Sequence, residues 1–186
     1  MPTATNVTTG IVRLSYANLF KPRANTDGAD PKYSACLLIP KSDTATFKAI
    51  KEACEAARVA SSAKFNGKVP DKLKLPIHDG DGEMPNGGEY PQEAKGHWVM
   101  NASSKLKPRV VDRRVNDIID ETLVYSGCYV RAALNFFAYN TNGNRGIACG
   151  LNMVQKVRDG EPLGGSAPDP KSVFTAIEDD EEDLGI

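Results

Sequence analysis

Residues 127–140 read Gly-Cys-Tyr-Val-Arg-Ala-Ala-Leu-Asn-Phe-Phe-Ala-Tyr-Asn and alternate throughout. One face carries Cys128, Val130, Ala132, Leu134, Phe136 and Ala138. The other carries Tyr129, Arg131, Ala133, Asn135, Phe137 and Tyr139. Successive strand side chains point to opposite faces, so the stretch predicts a long strand whose small, apolar face is core. The turn Asn140-Thr-Asn-Gly-Asn-Arg145 then joins it to Gly146–Val157 as a hairpin.

Working outward, Val7–Tyr16 is rich in Thr, Val and Ile and reads as a strand, with residues 18–29 as a loop after it. Tyr33–Ile39 is an apolar run stopped by Pro40. His97–Ala102 and Arg109–Asp112 read as further strands. Ser42 or Asp43 can cap a helix running to about Ala63, in which Phe47, Ile50, Cys54 and Ala57 recur at helical spacing. Asn66–Gly96 is rich in Gly, Pro and Asp and predicts a long loop excursion. Val115–Thr122 reads as a turn or short helix. About five strands and one helix predict a mainly β fold, an OB-fold: a five-stranded Greek-key barrel that binds oligonucleotides on one face.

The second face of the long strand carries the chemistry. Arg is seldom buried unpaired, and three rings are seldom left together on a merely solvated face. Tyr129, Arg131, Phe137 and Tyr139 therefore suit a platform on which bases stack and Arg meets phosphate or ring. Rings packed beneath the helix or loop, or buried between two copies, would read the same way, and this leaves a homo-oligomer open. Arg13 and Tyr16 on the first strand and Lys21 beyond it could extend the platform. So could Arg23 in the loop, the cluster Lys105-Leu-Lys-Pro-Arg109 (Lys105, Lys107, Arg109) and Arg145 at the hairpin tip. Trp98 fits core and stacking surface equally.

Charge at first argues against such a partner. The 186 residues carry 23 Lys+Arg and 24 Asp+Glu, a net charge of −1. Six of the acids are consecutive: Glu178, Asp179, Asp180, Glu181, Glu182 and Asp183. Without them 23 basic residues face 18 acidic ones, a body of +5. The Pro- and Gly-rich stretch Asp159–Pro170 makes a linker, and Leu184 and Ile186 end the acidic run with an apolar tip. The expected organisation is a binding domain over 1–158, a linker over 159–177 and a partner-binding tail over 178–186.

No apolar run is long enough for a membrane-spanning helix, and the N-terminus lacks a basic and then apolar signal, so no membrane partner is expected. Cys36, Cys54, Cys128 and Cys149 include no C-x-x-C pair, and His78 and His97 lie far from them; neither metal nor cofactor is expected. Free buried thiols suit a reducing cytoplasm. Asp79-Gly-Asp-Gly-Glu83 starts like a calcium loop but has Tyr90 at the twelfth position, so it reads as a turn.

Tyr125-Ser-Gly-Cys-Tyr-Val-Arg131, Phe137-Ala-Tyr139, Gly146-Ile147, Leu151, Val154-Gln-Lys-Val157 and Asp159-Gly-Glu-Pro-Leu163 together resemble a bacteriophage single-stranded-DNA-binding family, long a domain of unknown function. Leu38-Ile-Pro-Lys41, His78-Asp-Gly-Asp81 and Arg109-Val-Val-Asp112 add to the likeness, which spans about Val12 to Phe174. The resemblance implies an OB-fold with an acidic C-terminal tail. It implies a protein that coats single strands during phage DNA replication, recombination and repair, in the host cytoplasm. It also places Tyr125, Tyr129, Arg131, Phe137 and Tyr139 on the binding sheet. The expected function is a sequence-tolerant, non-enzymatic coat. Its tail competes with DNA and recruits replication or repair proteins. The rival is a phage structural or assembly protein that uses the aromatic face as a protein interface. A metal nuclease built on Asp79, Asp81 and Glu83 is a poorer fit, because all three sit on one Gly-rich segment.

Overall fold

Alternating apolar residues close a barrel here. The structure, a computed structural model, describes residues 5–24, 28–85, 87–141, 143–163 and 175. Its strands are β1 (Asn6–Thr8), β2 (Val12–Arg23), β3 (Lys32–Pro40), β4 (Ile77–Asp79), β5 (His97–Ser104), β6 (Arg109–Val111), β7 (Tyr129–Thr141) and β8 (Asn144–Arg158). β2 pairs antiparallel with β3, and β3 with β5. β5 meets β8 in parallel, β8 pairs antiparallel with β7, and β7 returns to β2. These five strands form a closed ring, the Greek-key barrel of the OB-fold. The short strands β1, β4 and β6 extend it at β7, β5 and β8.

The core face of β7 is the one that its alternation predicts. Val130, Ala132, Leu134, Phe136 and Ala138 are buried, against Leu14, Leu37, Ile39, Met100, Ile147 and Leu151 from the other strands. Helix α1 (Thr44–Val59) starts at Asp43, whose carboxylate accepts from the Thr46 backbone amide and hydroxyl. Its buried stripe is Ile50, Ala53, Cys54 and Ala57, and it packs on β1, β7 and β8. The helix ends at Val59 rather than near Ala63, where a short 3-10 turn over Ser62–Lys64 follows.

Two predicted loops differ. β2 does not stop at Tyr16 but runs on to Arg23. Its register against β3 shifts between Ser15 and Asn18, and this irregularity absorbs Tyr16 and Ala17 so that pairing can resume. The excursion 66–96 is anchored rather than open. β4 pairs with β5, the Ile147 amide donates to the Lys74 carbonyl at 2.8 Å, and Ala94 is buried against Cys36, Leu38 and Val99. Lys41 fastens its middle, donating to Asp79 at 2.6 Å and Asp81 at 2.7 Å. Those hydrogen bonds hold both carboxyls below their ordinary range, so the acidic turn is occupied by an ammonium of the chain itself.

Ordered packing also continues past Arg158. Residues 159–163 run back over the barrel as a strap. Gly127 has φ of +116°, and a Cβ there would stand 2.1 Å from the Glu161 carbonyl oxygen. Gly160 likewise lets the strap pass over Tyr129, since a Cβ would stand 2.8 Å from Tyr129 Cε2. Arg13 donates to the carbonyls of Gly127 (3.1 Å) and Glu161 (2.7 Å), and the Leu163 amide donates to Ser126 O at 2.9 Å.

Candidate nucleic-acid interface

The strand register lays out the outer face of β2–β3–β5 in rows. Asn18, Ser34 and Ser103 form one row; Ser15, Cys36 and Asn101 the next; Arg13, Leu38 and Val99 the third, with His78 of β4 beyond. The first two rows are small and polar. Burial pushes the Cys36 thiol up to about 12, with the nearby Glu93 charge adding to the effect, so Cys36 is a neutral floor residue. An open groove of about 770 Å3 runs over this floor. Arg23, Lys74, His78 and Tyr139 stand around it, and among the described residues no carboxylate lines it. Arg23 and Lys74 form no ion pair among the described residues.

Tyr16 projects beside the groove. It is 69% exposed, and its φ of +45° is left-handed. A bulky side chain in that region is strained by about 1–3 kcal/mol and persists only where the surroundings enforce it. Here the interrupted β2–β3 pairing does so, and the result is a ring held out in solvent above a floor of small side chains. A nucleobase stacked on such a ring gains about 1–3 kcal/mol.

The structure gathers most of the candidate residues in four places. Tyr16 and Tyr139 line the groove. Arg131 and Phe137 are exposed on the outer face of the β7–β8 hairpin and do not line it. Arg131 donates to the Thr9 carbonyl at 3.0 Å, and the Lys64 ammonium lies 5.6 Å from the Phe137 ring centroid. Arg13, Tyr125 and Tyr129 hold the strap. The Tyr129 ring centroid lies 5.7 Å from the Arg13 guanidinium and 4.1 Å from that of Arg158, and the Tyr125 hydroxyl donates to Gly160 O at 2.9 Å, with Asp159 Oδ1 as an alternative acceptor at 3.1 Å. Lys107 and Arg109 line a separate cavity of about 490 Å3, where Lys107 lies over Phe20 and Arg109 pairs with Asp117 at 2.8 Å.

Lys21 and Lys105 are exposed outside these sites, and Arg145, at the hairpin, lies 5.9 Å from the Phe65 centroid. Trp98 is placed apart from all of them. Phe47 of α1 stacks on it at 4.4 Å and Lys41 lies 4.9 Å from its ring centroid, so its surfaces are already used within the fold. The tail residues 178–186 lie outside the described residues.

Asn18, Ser34, Lys74, Asn101 and Ser103 of the groove floor and rim are not among the residues that the sequence singles out; Arg23, a possible extension of the platform in the expected loop, instead ends β2. The available signal was parity. Ser34 and Cys36 alternate with the buried Ala35 and Leu37, as Asn101 and Ser103 do with Met100 and Ala102.

A family profile described as the Enterobacter phage Enc34 ssDNA-binding protein matches residues 5–184. Putative protein p50 of Acyrthosiphon pisum secondary endosymbiont phage 1 is 32% identical over 164 residues, 83% of this chain and 84% of that one. The single-stranded DNA-binding protein from bacteriophage Enc34, solved in complex with ssDNA, is 29% identical with a TM-score of 0.73, over 86% of this chain and 90% of that one. The single-stranded DNA-binding protein gp2.5 of bacteriophage T7 is 17% identical with a TM-score of 0.60, over 91% of this chain and 94% of that one. That is a likeness of fold alone.

Proposed function

The chain belongs to the family of the Enterobacter phage Enc34 ssDNA-binding protein, and on that premise we propose that it is a sequence-tolerant, non-enzymatic coat for single-stranded DNA, acting in phage DNA replication, recombination and repair in the host cytoplasm. The observation that supports this reading is the groove over β2–β3–β5, lined by no carboxylate among the described residues, with Tyr16 held out beside it. Bases stack on Tyr16 and Tyr139 across a floor too small to obstruct them, and Arg23 and Lys74 meet phosphates. Exposed bases are needed for stacking, which favours single strands over duplex.

The test is a fluorescence titration with oligo-dT at several salt concentrations. Neutralising the two phosphates that meet Arg23 and Lys74 should by itself cost about 7-fold in affinity between 50 and 200 mM salt. A dissociation constant that does not change with salt would overturn the proposal.

We read 1–158 as the binding body, 159–177 as the linker, whose first five residues are the strap held on the body, and 178–186 as the tail. Leu163 packs beside Leu38 and Val99, so the linker leaves the body next to the groove. The six acids follow Leu163 within about fifteen positions of the same chain, so they are tethered at high effective concentration to the body that carries Arg23 and Lys74. Deleting 178–186 should therefore tighten oligo-dT binding, most strongly at low salt. Equal affinity with and without the tail would exclude self-competition and leave recruitment of replication or repair proteins as its role.

A further inference from the structure

Next to the groove, and sharing Tyr16, Cys36 and Asn101 with it, lies a cavity of about 340 Å3 under the excursion. Its floor is Cys36, Leu38 and Val99, all buried, and its roof is Met84, Tyr90 and Glu93. The volume is at the lower end for small-molecule sites, which suits one aromatic ring system rather than a larger ligand. Its walls are mainly apolar and aromatic. Its polar side chains are Ser15, Asn101, Glu93 and the hydroxyl-bearing Tyr16 and Tyr90; the hydroxyls and the Asn101 carboxamide both donate and accept, whereas the Glu93 carboxylate only accepts. Glu93 forms no ion pair among the described residues.

A carboxylate beside a path for phosphates is unfavourable unless it faces a donor. Among the described residues no carboxylate lines the groove proper, so Glu93 sets this cavity apart as a place for an occupant that carries N–H groups and no negative charge of its own at that point. A nucleobase is such an occupant. Cytosine and adenine offer an exocyclic amino group, and guanine offers an amino group beside a ring N–H. Thymine offers a single ring N–H flanked by two carbonyl oxygens, which repel a carboxylate.

We propose that this cavity receives one base flipped from the bound single strand, and that Glu93, with Asn101, selects amino-bearing bases over thymine there. The proposal rests on the coating function above and refines it: the coat tolerates sequence along the groove and discriminates at one subsite. Tyr16 stands at the shared edge of groove and cavity, where a strand would turn its base inward.

Short oligonucleotides, near the site size of one OB-fold at about 10 nucleotides, keep a single subsite decisive. Full-length protein is titrated with oligo-dC, with oligo-dT, and with oligo-dC whose N4 is dimethylated and so carries no donor. The unmodified oligo-dC should bind about fivefold more tightly than oligo-dT, and dimethylation should abolish that advantage. In Glu93→Gln, oligo-dT should gain and the two should come within twofold. Equal binding of oligo-dC and oligo-dT by the wild-type protein would overturn the base pocket, as would a preference that survives either dimethylation or Glu93→Gln. Either result leaves the coat intact if both oligonucleotides bind. Failure of every oligonucleotide to bind would instead remove the function on which the pocket depends.

Discussion

Replacing Tyr16 with Gly should weaken single-stranded-DNA binding by about 5- to 150-fold, the equivalent of one lost stacking partner at roughly 1–3 kcal/mol, yet leave the fold as stable as before or up to about 1 kcal/mol more so. The two effects have separate causes. Tyr16 is largely exposed, so its removal gives up little burial. Its φ of +45° costs a side chain energy that Gly recovers, partly offset by the greater freedom of Gly in the unfolded chain. Tyr16→Ala should lose the same binding without the relief of strain, and Tyr16→Phe should retain the ring and most of the affinity. Fluorescence anisotropy gives the binding and urea denaturation the stability. Wild-type affinity in Tyr16→Gly would remove Tyr16 from the DNA path. A clear loss of stability would mean that the ring supports the fold rather than projecting from it for a ligand.

That residue also shows what was legible in the sequence. The core of this barrel could be read directly, because Val130, Ala132, Leu134, Phe136 and Ala138 announce it by alternation within a single segment, and the Asp43 cap and the helical stripe are equally local. The irregularity at Tyr16 could not be read. It arises from how β2 pairs with β3, a relation between distant segments, and nothing in Leu14–Asn18 marks it. The groove floor was hidden for a related reason. In Tyr33–Ile39 the apolar residues dominate, because Leu38 and Cys36 on the outer face are themselves covered by the excursion, so the run looks continuous rather than alternating. The aromatic second face of β7 is legible in the sequence as a face, whereas its division among groove, hairpin surface and strap is not. Tyr129 belongs to the strap because Gly127 and Gly160 let residues 159–163 pass beside it, about thirty positions away in the chain. The excursion was recognised as long, but its anchoring by Lys41 and Lys74 depends on partners that only the closed barrel brings near.

The strand-face platform and the groove make opposite predictions for charge. In the groove Arg23 and Lys74 stand at the rim, while Arg131 is on the hairpin's outer face with its Nε committed to the Thr9 carbonyl. The double substitution Arg23→Ala/Lys74→Ala should therefore lower the steepness of log Kd against log salt by about 1.4, since each phosphate contact to a single strand contributes about 0.7. If contacts that do not depend on salt are unaffected, and so converge near 1 M, that change amounts to about 25-fold weaker binding at 0.1 M. Arg131→Ala should leave both slope and affinity close to wild type. The reverse pattern, a reduced slope in Arg131→Ala and none in the double variant, would move the DNA from β2–β3–β5 to the β7–β8 face. All three positions are exposed or at a groove rim, so neither variant removes core packing, and thermal melting of each protein separates a lost contact from a lost fold. The salt slope is the decisive readout because it reports the number of phosphates neutralised, whereas affinity alone would also fall if Arg131→Ala merely loosened its link to Thr9.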